Sequence, residues 1–352
     1  MYRVLTCILL SVMLPSFGQG ADRSQGPVVN DSHFHLTNYV QEGTDIREFL
    51  KIMGDKVGRV ALFGIPLQQT WSYANTGDYA PTYYLQTDSP LYYYSFTDAF
   101  IATRYLSLPP KDRARFDPMI TGFNPADMYA ADHIRRVLKV FPGVFSGIGE
   151  FTIHKEFVSP KIAGDTASLT NPALDRIFDF AGEAGLLVIL HNDIDMPFPK
   201  PGQEPWDAEQ LVALFRRHPK TKIIWAHCGV GRIVRPVADQ MQMVARALDD
   251  PALAHVFIDL SWSETAKYVV ESPESIARVA AVINRHPDRF LFGTDEVAPK
   301  DQKSYLAVYD TYAPLFAALT PEASEKLRKG NYERLFDEAR RRVRAWEKAN
   351  SQ

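Results

Sequence analysis

The run Val28-Val29-Asn30-Asp31-Ser32-His33-Phe34-His35 decides how the rest of the chain is read. Its start is short, apolar and β-branched, and it passes directly into acid and imidazole. A strand with that ending belongs to a fold whose strand ends form a working surface. In an extended chain residues two apart face the same side, so His33 and His35 can present both imidazoles to one point. A lone His-x-His pair is weak evidence, and its weight depends on what stands at the ends of other strands.

Short apolar runs of the same kind recur at Val60–Phe63, Pro118–Thr121, Gly147–Gly149, Leu186–Leu190, Ile223–Ala226, Val256–Leu260 and Phe290–Phe292, each followed by a longer amphipathic stretch. That alternation is the pattern of a parallel sheet covered by helices. With Val28–Asn30 the runs make eight strands, and eight predict an α/β fold closed as a (β/α)8 barrel. Punctuation agrees. Phe141-Pro142-Gly143 precedes the fourth strand, His218-Pro219 the sixth and His286-Pro287 the eighth; proline cannot continue the helix before it. His218 and His286 are therefore read as helix C-terminal residues, favourable at the negative end of the dipole, with no catalytic role.

Residues 1–21 stand apart: Arg3, the apolar run Val4–Leu14 and the small, turn-prone Ser16–Ala21 form a secretory signal-peptide pattern. The chain is therefore expected to be exported, periplasmic or secreted. No later stretch reaches the roughly 20 apolar residues of a spanning helix. Residues 22–352 are expected to form a single barrel domain. A formal net charge of −3 leaves no basic footprint for nucleic acid. Cys7 lies in the leader, so Cys228 has no internal disulfide partner and reads as a small buried hydrophobe. The expected partner is a small-molecule substrate, and a homo-oligomer is compatible with the sequence.

The widest gap between strands, from about Pro66 to Arg115, is dense in tyrosine: Tyr73, Tyr79, Tyr83, Tyr84, Tyr92, Tyr93 and Tyr94. It follows strand two, so it is expected to hang over the C-terminal face as a lid, with Tyr83, Tyr84 and Tyr93 favouring a bulky or aromatic substrate group. Tyrosines that merely pack the insertion are an equal alternative. The last stretch, Pro321–Gln352, is helical and charged and is expected to pack outside the barrel as an eighth or extra helix.

Glu150 ends strand four, His191 strand five, His227 strand six, and Asp295 lies just past strand eight. Taken singly, each reads as a satisfied polar loop residue. Together with His33 and His35 they place four histidines and two carboxylates on the face where barrel enzymes build their sites. Neutral imidazole plus carboxylate is what a divalent metal takes. Zinc suits the imidazole-rich set and manganese is the alternative, as one ion or two.

These residues resemble the amidohydrolase superfamily, in particular the amidohydrolase-related group of metal-dependent TIM-barrel hydrolases. The resemblance runs through Asp31-x-His33-x-His35, His191, Ala226-His227-Cys228-Gly229, Phe292-Gly293-Thr294-Asp295 and the closing Gly330-Asn331-Tyr332-Glu333-Arg334-Leu335-Phe336, in the family's order. It implies that His33, His35 and Asp295 hold the first metal, with Asp295 also accepting the proton of the attacking water. His191 would complete a one-metal site, leaving His227 beside it as an acid or electrophile that holds the developing oxyanion. Gly147-Ile148-Gly149-Glu150 departs from that pattern and looks like the strand-four turn of TatD-type deoxyribonucleases, where the Glu bridges two metals. Under that pattern His191 and His227 become ligands of a second ion. No lysine ends strand four for carbamylation, since Lys155 lies farther along the loop.

The remaining polar residues divide less clearly. Lys155 reads either as a solvated loop charge or as a group that meets a substrate carboxylate, with His154 and Glu156 beside it. Asn192 and Asp193 would orient His191, and Trp262, after strand seven, would line an apolar pocket. The expected activity is hydrolysis of an amide, ester or lactone bond. The alternatives are decarboxylation of an aromatic or unsaturated acid on the same ligands, a TatD-like nuclease, and a binding barrel with a purely structural metal.

Overall fold

The computed structural model describes residues 27–37, 43–65, 94–156, 161–162, 165–200, 202, 205 and 207–351. Its strands are β1 (Val29–His35), β2 (Val57–Phe63), β3 (Phe116–Ile120), β4 (Gly147–His154), β5 (Leu187–Asn192), β6 (Ile223–Trp225), β7 (Val256–Asp259) and β8 (Phe290–Leu291). All eight expected strands are present. They pair in parallel in chain order, and the short strand Glu296–Val297 lies parallel to β1 at the other edge. The segment leaving β8 thus returns to β1. There the Ser32 N–H donates to the Phe292 carbonyl (3.0 Å) and the Asp295 N–H to that of His33 (2.8 Å). The sheet closes into a (β/α)8 barrel.

Helices end where proline punctuation placed their ends. His218 caps the helix Ala208–Arg217 and His286 caps Pro273–Arg285. Asn171 caps Pro172–Ala184 by accepting from the Ala173 N–H, and Gly185 closes that helix in the left-handed conformation, which glycine adopts without a Cβ clash.

Side-chain alternation along the strands separates two apolar layers. Val60 and Leu62 of β2, Val188 and Leu190 of β5, and Ile223 and Trp225 of β6 face the helices. Ala61, Phe63, Leu187, Ile189, Ile224, Phe257 and Leu291 fill the interior. The interior parity continues toward the strand ends, carrying His191 in register with Leu187 and Ile189 and Asp259 in register with Phe257.

The C-terminal helix corrects an expectation. Asn331–Ala349 does not lie beside the barrel: its Tyr332, Leu335, Phe336 and Ala339 join the interior layer. Its polar face is tied to the N-terminal ends of the strands. Arg340 donates to Asp117 and to the Phe116 carbonyl, Arg344 to the Phe145 carbonyl, and Lys222 to Glu338. Buried Asp117 also takes Arg59 and the Tyr332 hydroxyl (2.7 Å). An apolar stripe in sequence shows that a helix has a buried face, not which surface covers it.

Only the later part of the expected insertion lies within the described residues. Tyr94–Leu106 is a helix of the barrel's outer layer, burying Ile101 and Ala102, with Pro110–Arg113 after it. Tyr83, Tyr84, Tyr93 and residues 1–21, read above as a signal-peptide pattern, lie outside the described residues. No described helix is long and apolar enough to cross a membrane.

Candidate metal centre

At the C-terminal end of the barrel, six expected residues come together from five strand ends. His33, His35, Glu150 and Asp295 form one group of converging ligand atoms, and Glu150, His191 and His227 a second, with all the atoms in each group within 4.8 Å of one another. Glu150 belongs to both. Its Oε2 faces His33 Nε2 and His35 Nε2, each at 3.6 Å, while its Oε1 faces His191 Nδ1 at 2.5 Å and His227 Nε2 at 3.2 Å. Asp295 Oδ1 lies 3.2 Å from His33 Nε2 and 3.0 Å from His35 Nε2.

Backbone geometry accounts for the convergence. Gly149 has φ +108°, and a Cβ there would sit 2.2 Å from the Ile189 carbonyl oxygen. Only glycine lets β4 press on β5 closely enough to set Glu150 against His191. His227 (φ 57°), Asp295 (φ 55°) and Trp262 (φ 79°) take left-handed backbone that non-glycine residues seldom adopt. Such strain gathers at working sites.

Three of the four imidazoles are oriented by a partner on the other nitrogen, while His35 Nδ1 has no hydrogen-bond partner among the described residues. His33 Nδ1 donates to Asp259 Oδ2 (2.7 Å) and His191 Nε2 to Asp193 Oδ1 (3.1 Å). His227 Nδ1 meets the Ser261 hydroxyl (2.9 Å) and faces the Ser261 carbonyl (3.4 Å). That leaves His33 Nε2, His191 Nδ1 and His227 Nε2 turned to the centre. Asp193 was expected, whereas Asp259 and Ser261 were missed. Their signal was present: an acid within Val256-Phe257-Ile258-Asp259-Leu260, on the interior parity, is out of place unless it serves a polar site.

The donor set fits a cation. His33 Nε2 is buried without a hydrogen-bond partner among the described residues. Burial alone would lower the His33 pKa, but Glu150, Asp295 and the Asp259 hydrogen bond hold it well above the ordinary value. Burial alone would raise Glu150 and Asp295, yet the imidazoles hold both well below the carboxylate range. The carboxylates keep their charge, and protons on imidazole balance it. Burial lowers the His227 pKa and lifts the Cys228 thiol to about 12, so Cys228 is no nucleophile at neutral pH.

A pH dependence follows. In the metal-free protein the raised His33 contributes stability fully present below its ordinary 6.5 and lost as pH rises through the raised pKa. The depressed Glu150 and Asp295 contribute above 4.5 and 3.8 and lose that contribution as pH falls through their lowered pKa values. A divalent cation must displace the His33 proton. The rise in Tm on adding the cation to chelated protein should therefore be larger at about pH 8 than at about pH 6. An equal or reversed difference would contradict this donor set.

Lys155 is buried, 9% exposed, and does not project into solvent as a loop charge. Its Nζ lies 4.8 Å from the centroid of the Trp262 ring, and that ring packs 5.1 Å from His227. His154 contacts the Glu156 carbonyl (3.0 Å) and Asp207 (3.4 Å).

A family model described as amidohydrolase matches residues 31–337. Among curated proteins none matches the chain. Three solved structures are similar in fold. The 4-oxalomesaconate hydratase of Rhodopseudomonas palustris is 14% identical with TM-score 0.53, covering 91% of this chain and 99% of that one. An amidohydrolase of Burkholderia multivorans with bound zinc is 13% identical with TM-score 0.51, covering 88% and 99%. The dihydroorotase of Campylobacter jejuni is 12% identical with TM-score 0.51, covering 88% and 83%. At these identities the likeness is one of fold alone.

Proposed function

We propose that this chain, which belongs to the amidohydrolase family, hydrolyses an amide, ester or lactone bond of a small organic substrate at a centre of two zinc ions bridged by Glu150. It is an enzyme of the metal-dependent hydrolase superfamily. The observation that carries the proposal is the split of the Glu150 carboxylate, one oxygen toward His33 and His35 and the other toward His191 and His227. His33, His35 and Asp295 would hold one ion, His191 and His227 the other. Zinc suits a set richer in imidazole than in carboxylate, and it is the ion in the similar Burkholderia multivorans structure.

An ion held by these residues would supply polarisation of the scissile carbonyl and a lowering of the pKa of water toward about 7. Asp295, held ionised by the imidazoles around it, takes the proton of the attacking water and passes it to the leaving nitrogen or oxygen. With His227 Nδ1 donating to Ser261, Nε2 would have its lone pair for a ligand role, one of the two roles expected of His227 from sequence. Phe63 packs edge-on against His33 (5.0 Å) and His35 (4.9 Å) and keeps water from the interior side of the ligands.

Metal analysis of purified protein tests the centre, and a screen of lactones, N-acyl amino acids and aromatic carboxylates tests the chemistry. About two equivalents of zinc in the native protein, falling to about one in Glu150→Gln, is the expected result for a bridging carboxylate. One equivalent in both proteins would refute the bridge. Carbon dioxide release from the aromatic acids without any hydrolysis would overturn the reaction type.

A further inference from the structure

Asp31 is not among the converging ligand groups, yet it touches both chain segments that carry the first of them. It is buried, and four donors meet its carboxylate. Oδ1 accepts the N–H groups of His33 (2.9 Å) and Thr294 (2.9 Å). Oδ2 accepts the hydroxyls of Thr294 (2.6 Å) and Tyr305 (2.7 Å). Four donors match the acceptor capacity of a carboxylate, so Asp31 is committed to holding its neighbours and not to binding an ion.

These bonds fix the backbone around Asp295. Three successive N–H groups there are directed at one junction: that of Thr294 at Asp31, that of Asp295 at the His33 carbonyl (2.8 Å) and that of Glu296 at the Thr294 hydroxyl (3.3 Å). Asp295 holds φ 55° between them, and strained backbone of this kind persists only where the surroundings over-determine it. Gly293 allows the approach, since a Cβ there would sit 2.6 Å from the His33 Cβ. Tyr305 comes from outside the turn, on the helix Gln302–Tyr305. Its ring is fully buried and stands edge-on to Phe34 (5.6 Å) and Phe49 (5.1 Å), so core packing aims its hydroxyl at Asp31.

From this arrangement we infer that Asp31 and Tyr305 are positioning residues of the metal centre. They act with Thr294 to set His33 against Asp295, and so set the affinity for the ion those two ligands share. The inference rests on the two-ion reading above and gives His191 and His227 no part in the effect. Partners that orient metal ligands carry about tenfold to a hundredfold of metal affinity. Tyr305→Phe removes one hydroxyl and keeps the packed ring, leaving Asp31 its other three donors.

Competition for zinc against a chromophoric chelator tests this on the full chain, with the Tm of the metal-free protein measured beside it. In Tyr305→Phe one zinc step should weaken by about tenfold or more while the other stays within about twofold of native. Thr294→Val should weaken the same step, and Thr294→Ser, which keeps the hydroxyl, should return it to within about threefold of native. The weakened step should be the one that His35→Ala abolishes, and weakening of the other step would overturn the inference. A merely structural role would lower the Tm of the metal-free protein and leave both zinc steps at native strength. That result in both Tyr305→Phe and Thr294→Val would also overturn the inference. A single zinc step in the native protein refutes the two-ion reading alone: the inference then stands if Tyr305→Phe weakens that step and falls if it does not.

Discussion

Turnover by His33→Ala is expected to fall by about 10³-fold or more, since loss of a metal ligand removes both polarisation of the carbonyl and activation of water. Asp295→Ala should fall as far, because Asp295 is both ligand and proton acceptor in the proposed reaction. The barrel should remain folded in each. Both side chains lie beyond the apolar interior layer, and the hydrogen bonds that close β8 onto β1 use the backbone of Ser32, Phe292, His33 and Asp295. Asp295→Asn keeps the shape of the side chain and serves as a folding control. The measurements are kcat/KM, zinc content and far-ultraviolet circular dichroism. Full turnover by a metal-depleted His33→Ala protein would end the metal-hydrolase reading.

The largest stability effect is expected at the opposite end of the barrel. Phe336 is fully buried and stacks on Tyr332 with ring centroids 4.1 Å apart. It shares the interior layer with Phe63, Met119, Leu187 and Ile189. Phe336→Ala removes that contact and leaves a cavity bounded by strands that cannot collapse into it. The expected cost is about 3–5 kcal/mol, read from the urea midpoint and slope. Metal content per folded molecule should be unchanged, because the proposed metal ligands stand at the other end of the strands. A loss below about 1 kcal/mol would mean that the helix Asn331–Ala349 is a dispensable cover and not part of the core.

Several features of this protein are local in origin, and these were legible in the chain itself. The eight strands follow from β-branched runs with amphipathic stretches between them, and His218-Pro219 and His286-Pro287 mark helix ends because proline stops a helix within its own few residues. His33 and His35 share a side because an extended chain alternates. The ends of β4, β5 and β6 and the turn after β8 named Glu150, His191, His227 and Asp295, since a parallel barrel gathers such ends on one face.

Contacts between distant residues decided the rest. The grouping of the imidazoles around Glu150 is one such outcome. In the folded chain His191 groups with His227 on one oxygen of Glu150, while His33 and His35 face the other. Which imidazole nitrogen faces the centre depends on Asp259, Asp193 and Ser261, and the pairs Asp259–His33 and Ser261–His227 join separate strand ends. Lys155 reads as a solvated charge in sequence because nothing nearby in the chain announces the Trp262 ring above which it sits. The C-terminal helix shows its apolar stripe in sequence, but only closure of the barrel creates the end that the stripe fills. Local preferences are set by each residue's own backbone and neighbours, whereas burial and ligand geometry exist only once strands far apart in the chain have met.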